Sequence, residues 1–253
     1  MNNLHITFYQ QDIVWGDAEA NRRKVESTVA GASGTDIFVV PETFTTGFGD
    51  HMASLAEMPM GPTLHWAQQL AAKHNFLFIG TWIVREGNQC YNRLHWVYPN
   101  GTFGYYDKAH TFRVSGEYDI ISRGSQRAVF EYKGWKIKPA VCYDLRFPKW
   151  LRNNNLCYDL LLVCANWPGS RHEAWSTLLK ARAIENESYV LGCNRCGVDG
   201  MDGKYTGNSA LIDYKGFPLA ESEAESDQLV TVTLSKEKLD IFRQRWPLYL
   251  DFD

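Results

Sequence analysis

Two short segments of this 253-residue chain are apolar at every position, Ile37-Phe38-Val39-Val40 and Leu160-Leu161-Leu162-Val163-Cys164-Ala165. An extended strand points successive side chains to opposite faces. A strand that is apolar on both faces therefore belongs between two covering layers. The second segment is also the longest clean apolar run, six residues, where a membrane-spanning helix needs about 20. Buried strands, and no membrane partner, are the first expectations.

The segments around these runs alternate in period. Leu4 to Tyr9 alternates as a strand, and Asp17 is placed to cap a helix reaching roughly Ala32, with Val25 and Val29 on one face. Leu64 to Lys73 has helical spacing, and Phe76 to Val84 reads as a strand. Cys90 to Tyr98 and Thr102 to Asp107 form a hairpin about Pro99-Asn100-Gly101, and Ala128 to Tyr132 pairs with Trp135 to Cys142 about Lys133-Gly134. A helical signal resumes after Asp144, and a further helix is expected over His172 to Glu187. Strands follow at Tyr189 to Asn194, Ser209 to Tyr214 and Leu229 to Leu234. Alternating strands and helices make the class α/β, and the hairpins make the sheets mixed. No linker or repeat interrupts the chain, so one domain over residues 1–253 is expected.

Composition excludes several functions. Lys and Arg total 26 against 29 Asp and Glu, a net charge of −3, so no general nucleic-acid binder is expected. From Gly216 to Asp253 eight acids face four bases, and Glu221 to Glu225 reads as a solvated loop. Met1 to His5 lacks the basic and then apolar character of an export signal. A cytoplasmic protein with its six cysteines reduced is the expectation. The pair Cys193 and Cys196 has no second pair at metal-ligand spacing, and no metal is assigned to it. Glycine-rich phosphate loops are missing, so no nucleotide cofactor is expected.

Three positions carry candidate chemistry. In Pro139-Ala140-Val141-Cys142-Tyr143-Asp144-Leu145-Arg146-Phe147-Pro148 a strand runs into a cysteine, then a turn, then a helix. A thiol there is exposed, and helix-start N–H groups would favour its thiolate and hold an oxyanion. The bland alternative is a small buried thiol. Glu42 follows the buried strand ending at Val40, where α/β sheets place ligand-binding groups, or else is a solvated loop carboxylate. Lys108 ends the strand after the Asn100-Gly101 turn, and alone reads as surface charge.

Taken together, Val40-Pro41-Glu42, Tyr106-Asp107-Lys108-Ala109-His110 and Val141-Cys142-Tyr143-Asp144-Leu145-Arg146-Phe147-Pro148 resemble the three signatures of the nitrilase superfamily. Their order matches, with separations of 108 − 42 = 66 and 142 − 108 = 34 residues. Asn166-Trp167-Pro168, Ala181 to Asn186, Cys193 to Gly197 and Gly207-Asn208-Ser209 match too, so the likeness covers essentially the whole chain. It is nearest to the omega-amidase branch.

The resemblance implies a four-layer αββα sandwich, usually a homodimer, that hydrolyses carbon–nitrogen bonds without cofactor or metal. It makes Cys142 the nucleophile, Glu42 the proton carrier, and Lys108 the stabiliser of the oxyanion, helped by the Tyr143 N–H. Glu117 is the candidate for the family's second glutamate, orienting Lys108 or the substrate. His110 is placed to support the lysine loop. A short 2-oxo acid amide, 2-oxoglutaramate or 2-oxosuccinamate, is the expected substrate. Other amidase substrates (deaminated glutathione, a carbamoyl compound, a nitrile) share the same triad, and a non-catalytic interaction protein on this fold is the remaining alternative. Such a substrate needs a cation for its distal carboxylate. Arg146 either serves it or pairs with Asp144. Phe112 and Trp167 either wall the pocket or simply pack.

Overall fold

The computed structural model describes residues 3–251. Met1 and Asn2, which open the segment read for export character, and Phe252 and Asp253, which close the acidic stretch, lie outside the described residues. Among the described residues no helix is long and apolar enough to cross a membrane.

Among the described residues, two six-stranded mixed sheets organise the fold. The first takes β1 (Asn3–Gln10), β2 (Ile37–Val39), β3 (Leu77–Glu86), β4 (Gln89–Val97) and β5 (Phe103–Asp107) in sequence order. The second takes β6 (Phe130–Tyr132), β7 (Trp135–Val141), β8 (Leu160–Ala165) and β9 (Tyr189–Asn194), with β12 (Ala210–Ile212) and β13 (Pro218–Glu221) at its far edge. Between them in sequence, β10 (Cys196–Val198) and β11 (Lys204–Thr206) form a separate hairpin. Finally β14 (Gln228–Ser235) returns to pair antiparallel with β1. The central neighbours β1–β2–β3 and β7–β8–β9 are parallel, and the hairpin partners are antiparallel.

The two apolar runs act as their pattern requires. Ile37 and Val39 face the second sheet, in one core with Leu160, Leu162 and Cys164. Their alternates Phe38 and Val40 pack outward on Val25, Val29, Leu64 and Ala67. Those belong to α1 (Ala18–Val29) and α2 (Pro62–His74). On the other side, Leu161, Val163 and Ala165 pack outward on Trp175, Leu179 and Ala183. The layers thus run helices, sheet, sheet, helix, the αββα sandwich. As expected, the Asp17 side chain accepts from the Ala20 N–H, 2.9 Å, at the start of α1.

Some boundaries move. α1 stops at Val29, short of Ala32, and the helix after His172 stops at Glu185 because Glu187 turns left-handed at φ +46°. The expected strand Ser209 to Tyr214 shortens to β12, and β10, β11 and β13 were not read from sequence. Glu221, Glu223 and Glu225 are exposed as expected, but Ser222 among them is buried. It donates its hydroxyl to the Ser209 carbonyl, 3.1 Å.

Candidate active site

The site is built where chains leave the carboxyl ends of the facing parallel strands. Past β2, the chain turns at Thr43, whose N–H donates to Thr81 Oγ1, 2.6 Å. This aims Glu42 into the interface between the sheets. Glu42 is fully buried, and a carboxylate can stay there only with partners. Its Oε1 accepts from Asn92 Nδ2 and Lys108 Nζ, both 2.8 Å, and its Oε2 accepts from the Asn166 N–H, 2.8 Å. The Asn166 side chain also donates to the Glu42 carbonyl oxygen and to Thr43 Oγ1.

Lys108 is buried as well, so it is no surface charge. Nζ donates to both oxygens of Glu117, each 2.9 Å, and lies 5.2 Å from the centre of the Phe48 ring. Glu117 in turn accepts the Phe112 N–H, 2.6 Å, and a longer bond from Asn92, 3.4 Å. Burial works against the charge on Lys108, but Glu117 and Glu42 outweigh it and raise its pKa. Burial raises the pKa of Glu117; Lys108 opposes the shift and Glu42 adds to it.

Cys142 stands where β7 ends, at φ +42°. A non-glycine residue in that region costs of order 1–3 kcal/mol and is held there by its surroundings. Asp144 supplies much of the hold. Its Oδ2 accepts from the Val141 N–H, 3.0 Å, and from the Tyr106 hydroxyl, 2.8 Å. Oδ1 accepts from the His110 N–H, 3.0 Å, and meets the His110 ring at 2.7 Å. One buried carboxylate thereby ties the Cys142 turn to the loop carrying Lys108, and His110 supports that loop as expected. Arg182 clamps the same turn from the helix α3 (His172–Glu185), donating through Nε and Nη2 to the Leu145 carbonyl, 3.0 and 2.8 Å.

One expectation about this turn is corrected. No long helix begins beside the thiol: a 3-10 turn spans Cys142–Arg146, followed by a single α-turn at Pro148–Leu151. The thiol pKa is not lowered by a helix end. Burial pushes it well above the usual range, the neighbouring Glu42 carboxylate adds to that, and Lys108 opposes it. The resting group is the thiol, and its ionisation needs a base at hand.

A cavity of about 460 Å³ opens on this cluster, in the range of small-molecule sites. Lys108, Phe112, Cys142, Tyr143, Arg146 and Trp167 all line it, so the residues proposed from sequence converge on one space. Glu42 and Glu117 do not line it, but both accept from Lys108 Nζ, which does. Arg146 does not pair with Asp144; its guanidinium lies 4.8 Å from the Trp167 ring. Trp167 both packs on Trp175, at 5.5 Å between rings, and walls the cavity. The turn bearing it is fixed by Asn194, whose Oδ1 accepts the Trp167 N–H, 2.7 Å, and whose own N–H donates to Ser209 Oγ, 2.9 Å. Sequence reasoning missed Phe48, Asn92, Arg171, Met201 and Tyr205. None stands in a quoted motif, and only the topology brings them here.

The sequence profile of the carbon-nitrogen hydrolase family matches residues 5–244. The chain belongs to the carbon-nitrogen hydrolase family. It is accordingly a hydrolase of carbon–nitrogen bonds. The omega-amidase YafV of Yersinia enterocolitica is 41% identical over 253 residues, covering 100% of this chain and 98% of its own. The 2-oxoglutaramate amidase of Bacillus subtilis is 32% identical, covering 97% and 96% of the two chains. The crystal structure of XC1258 from Xanthomonas campestris superposes with a TM-score of 0.97 at 41% identity, covering 100% of this chain and 98% of that one. That carbon-nitrogen hydrolase carries an arsenic adduct in its active site.

Proposed function

We propose that this carbon-nitrogen hydrolase is an omega-amidase that hydrolyses the terminal amide of short 2-oxo acid amides, 2-oxoglutaramate or 2-oxosuccinamate, through a thioester on Cys142. Glu42 takes the thiol proton as Sγ attacks the amide carbon. Lys108 and the Tyr143 N–H stabilise the oxyanion of the tetrahedral intermediate. Glu42 passes the proton to the departing nitrogen, and ammonia leaves. Glu42 then draws a proton from water, which attacks the thioester and releases the free acid and the thiol. Glu117 holds Lys108 at its post. Arg146 receives the distal carboxylate, with Phe112 and Trp167 walling the carbon chain.

The observation that carries the chemistry is the buried cluster in which Lys108 bridges Glu42 and Glu117 beside a thiol whose pKa is raised. The choice of substrate rests on the likeness to an omega-amidase and a 2-oxoglutaramate amidase and on a guanidinium in the cavity wall. One catalytic domain over residues 1–253, a homodimer and a cytoplasmic setting that keeps Cys142 reduced belong to the same proposal. A panel of 2-oxoglutaramate, 2-oxosuccinamate, deaminated glutathione, a carbamoyl compound and a nitrile, scored by ammonia or amine release, tests it. Turnover of a 2-oxo acid amide well above the others supports it. No turnover of either, alongside good turnover of another member, rejects it.

A further inference from the structure

We propose that Arg171 is a second substrate anchor, which with Arg146 forms a two-guanidinium clamp for the 2-oxo-carboxylate end of the amide; this rests on the omega-amidase reading above. Arg146 and Arg171 leave the carboxyl ends of adjacent parallel strands, β7 and β8, which pair Val141 with Cys164. Both line the cavity that holds Cys142. Among the described residues no carboxylate lies in ion-pair range of either, whereas Arg93, Arg182, Arg195 and Arg243 are each paired. Instead each guanidinium lies near an aromatic ring of the cavity wall. Arg146 is 4.8 Å from Trp167, and Arg171 is 5.2 Å from Phe112.

The rings close the arrangement into a loop around the cavity. Trp167, beside Arg146, donates its indole N–H to the Arg171 carbonyl, 2.9 Å. Phe112, beside Arg171, lies 4.9 Å from Tyr143, the neighbour of Cys142. The turn carrying Arg171 is also fixed from outside. A Cβ on Gly169 would fall 2.8 Å from Thr206 Cγ2, so this turn sits directly on β11. The backbone turn that carries Arg171 is thus set before any ligand arrives, which lowers the ordering cost of binding.

Charge and shape select the ligand end. Asp50 stands in the cavity lining, and the Lys108 ammonium in the same lining is already shared by Glu42 and Glu117, so a carboxylate needs further cations on the wall to bind here. A 2-oxo-carboxylate presents three oxygens in a row. One fork-shaped guanidinium covers two of them, and a second is needed for the remaining edge. Arg171 is exposed at the mouth and Arg146 half-buried. The outer residue therefore meets the anion first and the inner one seats it.

Steady-state kinetics of Arg171→Gln, with Arg171→Lys beside it, test the clamp. For 2-oxoglutaramate, KM is expected to rise roughly tenfold to a hundredfold in Arg171→Gln, with kcat little changed. Arg171→Lys recovers part of the loss. A second measurement reads binding without turnover: 2-oxoglutarate, the product, should protect Cys142 from iodoacetamide. In Arg171→Gln that protection should need correspondingly more 2-oxoglutarate, while unprotected alkylation keeps its wild-type rate. If the wild type turns over 2-oxoglutaramate and Arg171→Gln leaves KM and protection unchanged, the clamp is wrong and the omega-amidase reading stands. If the wild type neither hydrolyses 2-oxoglutaramate nor is protected by 2-oxoglutarate, both fail.

Discussion

Replacing Lys108 by Met removes a charge but little volume, and its consequences follow from the burial of its partners. Lys108 Nζ is the only charged donor that Glu42 and Glu117 share among the described residues, at 2.8 and 2.9 Å, with side-chain exposures of 1%, 0% and 0%. Without it two carboxylates face each other out of water. Breaking a buried ion pair by deleting one partner costs about 3–5 kcal/mol. For a chain of this size that lowers the melting temperature by on the order of 10 °C.

The loss should depend on pH with a defined sign. Burial already raises the folded pKa of Glu117, and Lys108 is the group that opposes the shift. Without Lys108 the folded pKa rises further. A carboxyl raised in the folded state contributes stability below the unfolded carboxylate range and loses it as pH rises through the folded value. The gap between Lys108→Met and wild type should therefore widen as pH rises above the ordinary carboxylate range. Adding Glu117→Gln removes one of the two stranded charges and should recover most of the stability. Activity should not return, since losing a preorganised oxyanion donor costs on the order of 10²–10³ in kcat. Thermal melts at several pH values and ammonia release on the single and double variants measure this. A gap that does not change with pH, or a double variant no more stable than Lys108→Met, refutes the reasoning.

Two further outcomes follow from the same contacts. Because Glu42 raises the Cys142 thiol pKa, Glu42→Gln should move the inflection of iodoacetamide alkylation to lower pH while abolishing turnover, and an inflection that stays or rises counts against the pairing. Asp144→Ala removes acceptors from Val141, Tyr106 and His110 together, so it should cost more than the roughly 1–3 kcal/mol of one unsatisfied buried group, read by urea unfolding, and lower kcat with the substrate's KM less affected.

The buried strands and the α/β class were readable because burial writes itself into sequence as period, whereas the four-layer sandwich followed only from the resemblance to the nitrilase superfamily. The runs at Ile37 and Leu160 are apolar on both faces, and both faces are covered. Glu42, Lys108 and Cys142 were readable as ordered motifs at strand ends, though none is distinctive alone. Asn92 was not, because an asparagine inside the strand β4 carries no periodic signal. Its role as donor to two carboxylates exists only once β4 and β5 pair and bring Lys108 beside it. Arg171 was hidden similarly, on a turn whose direction is set by contact with β11, a strand of three residues too short to show a pattern. The raised thiol pKa was missed because sequence suggested a helix where the chain makes a 3-10 turn.

If an acyl group passes through Cys142, acid-quenched intact mass spectrometry during turnover of 2-oxoglutaramate will catch it on the protein. The expected result is an added mass equal to the substrate less ammonia, mapped to the peptide bearing Cys142 and absent, together with ammonia release, from Cys142→Ala. Ammonia release that survives in Cys142→Ala, or an adduct confined to another cysteine, would contradict it.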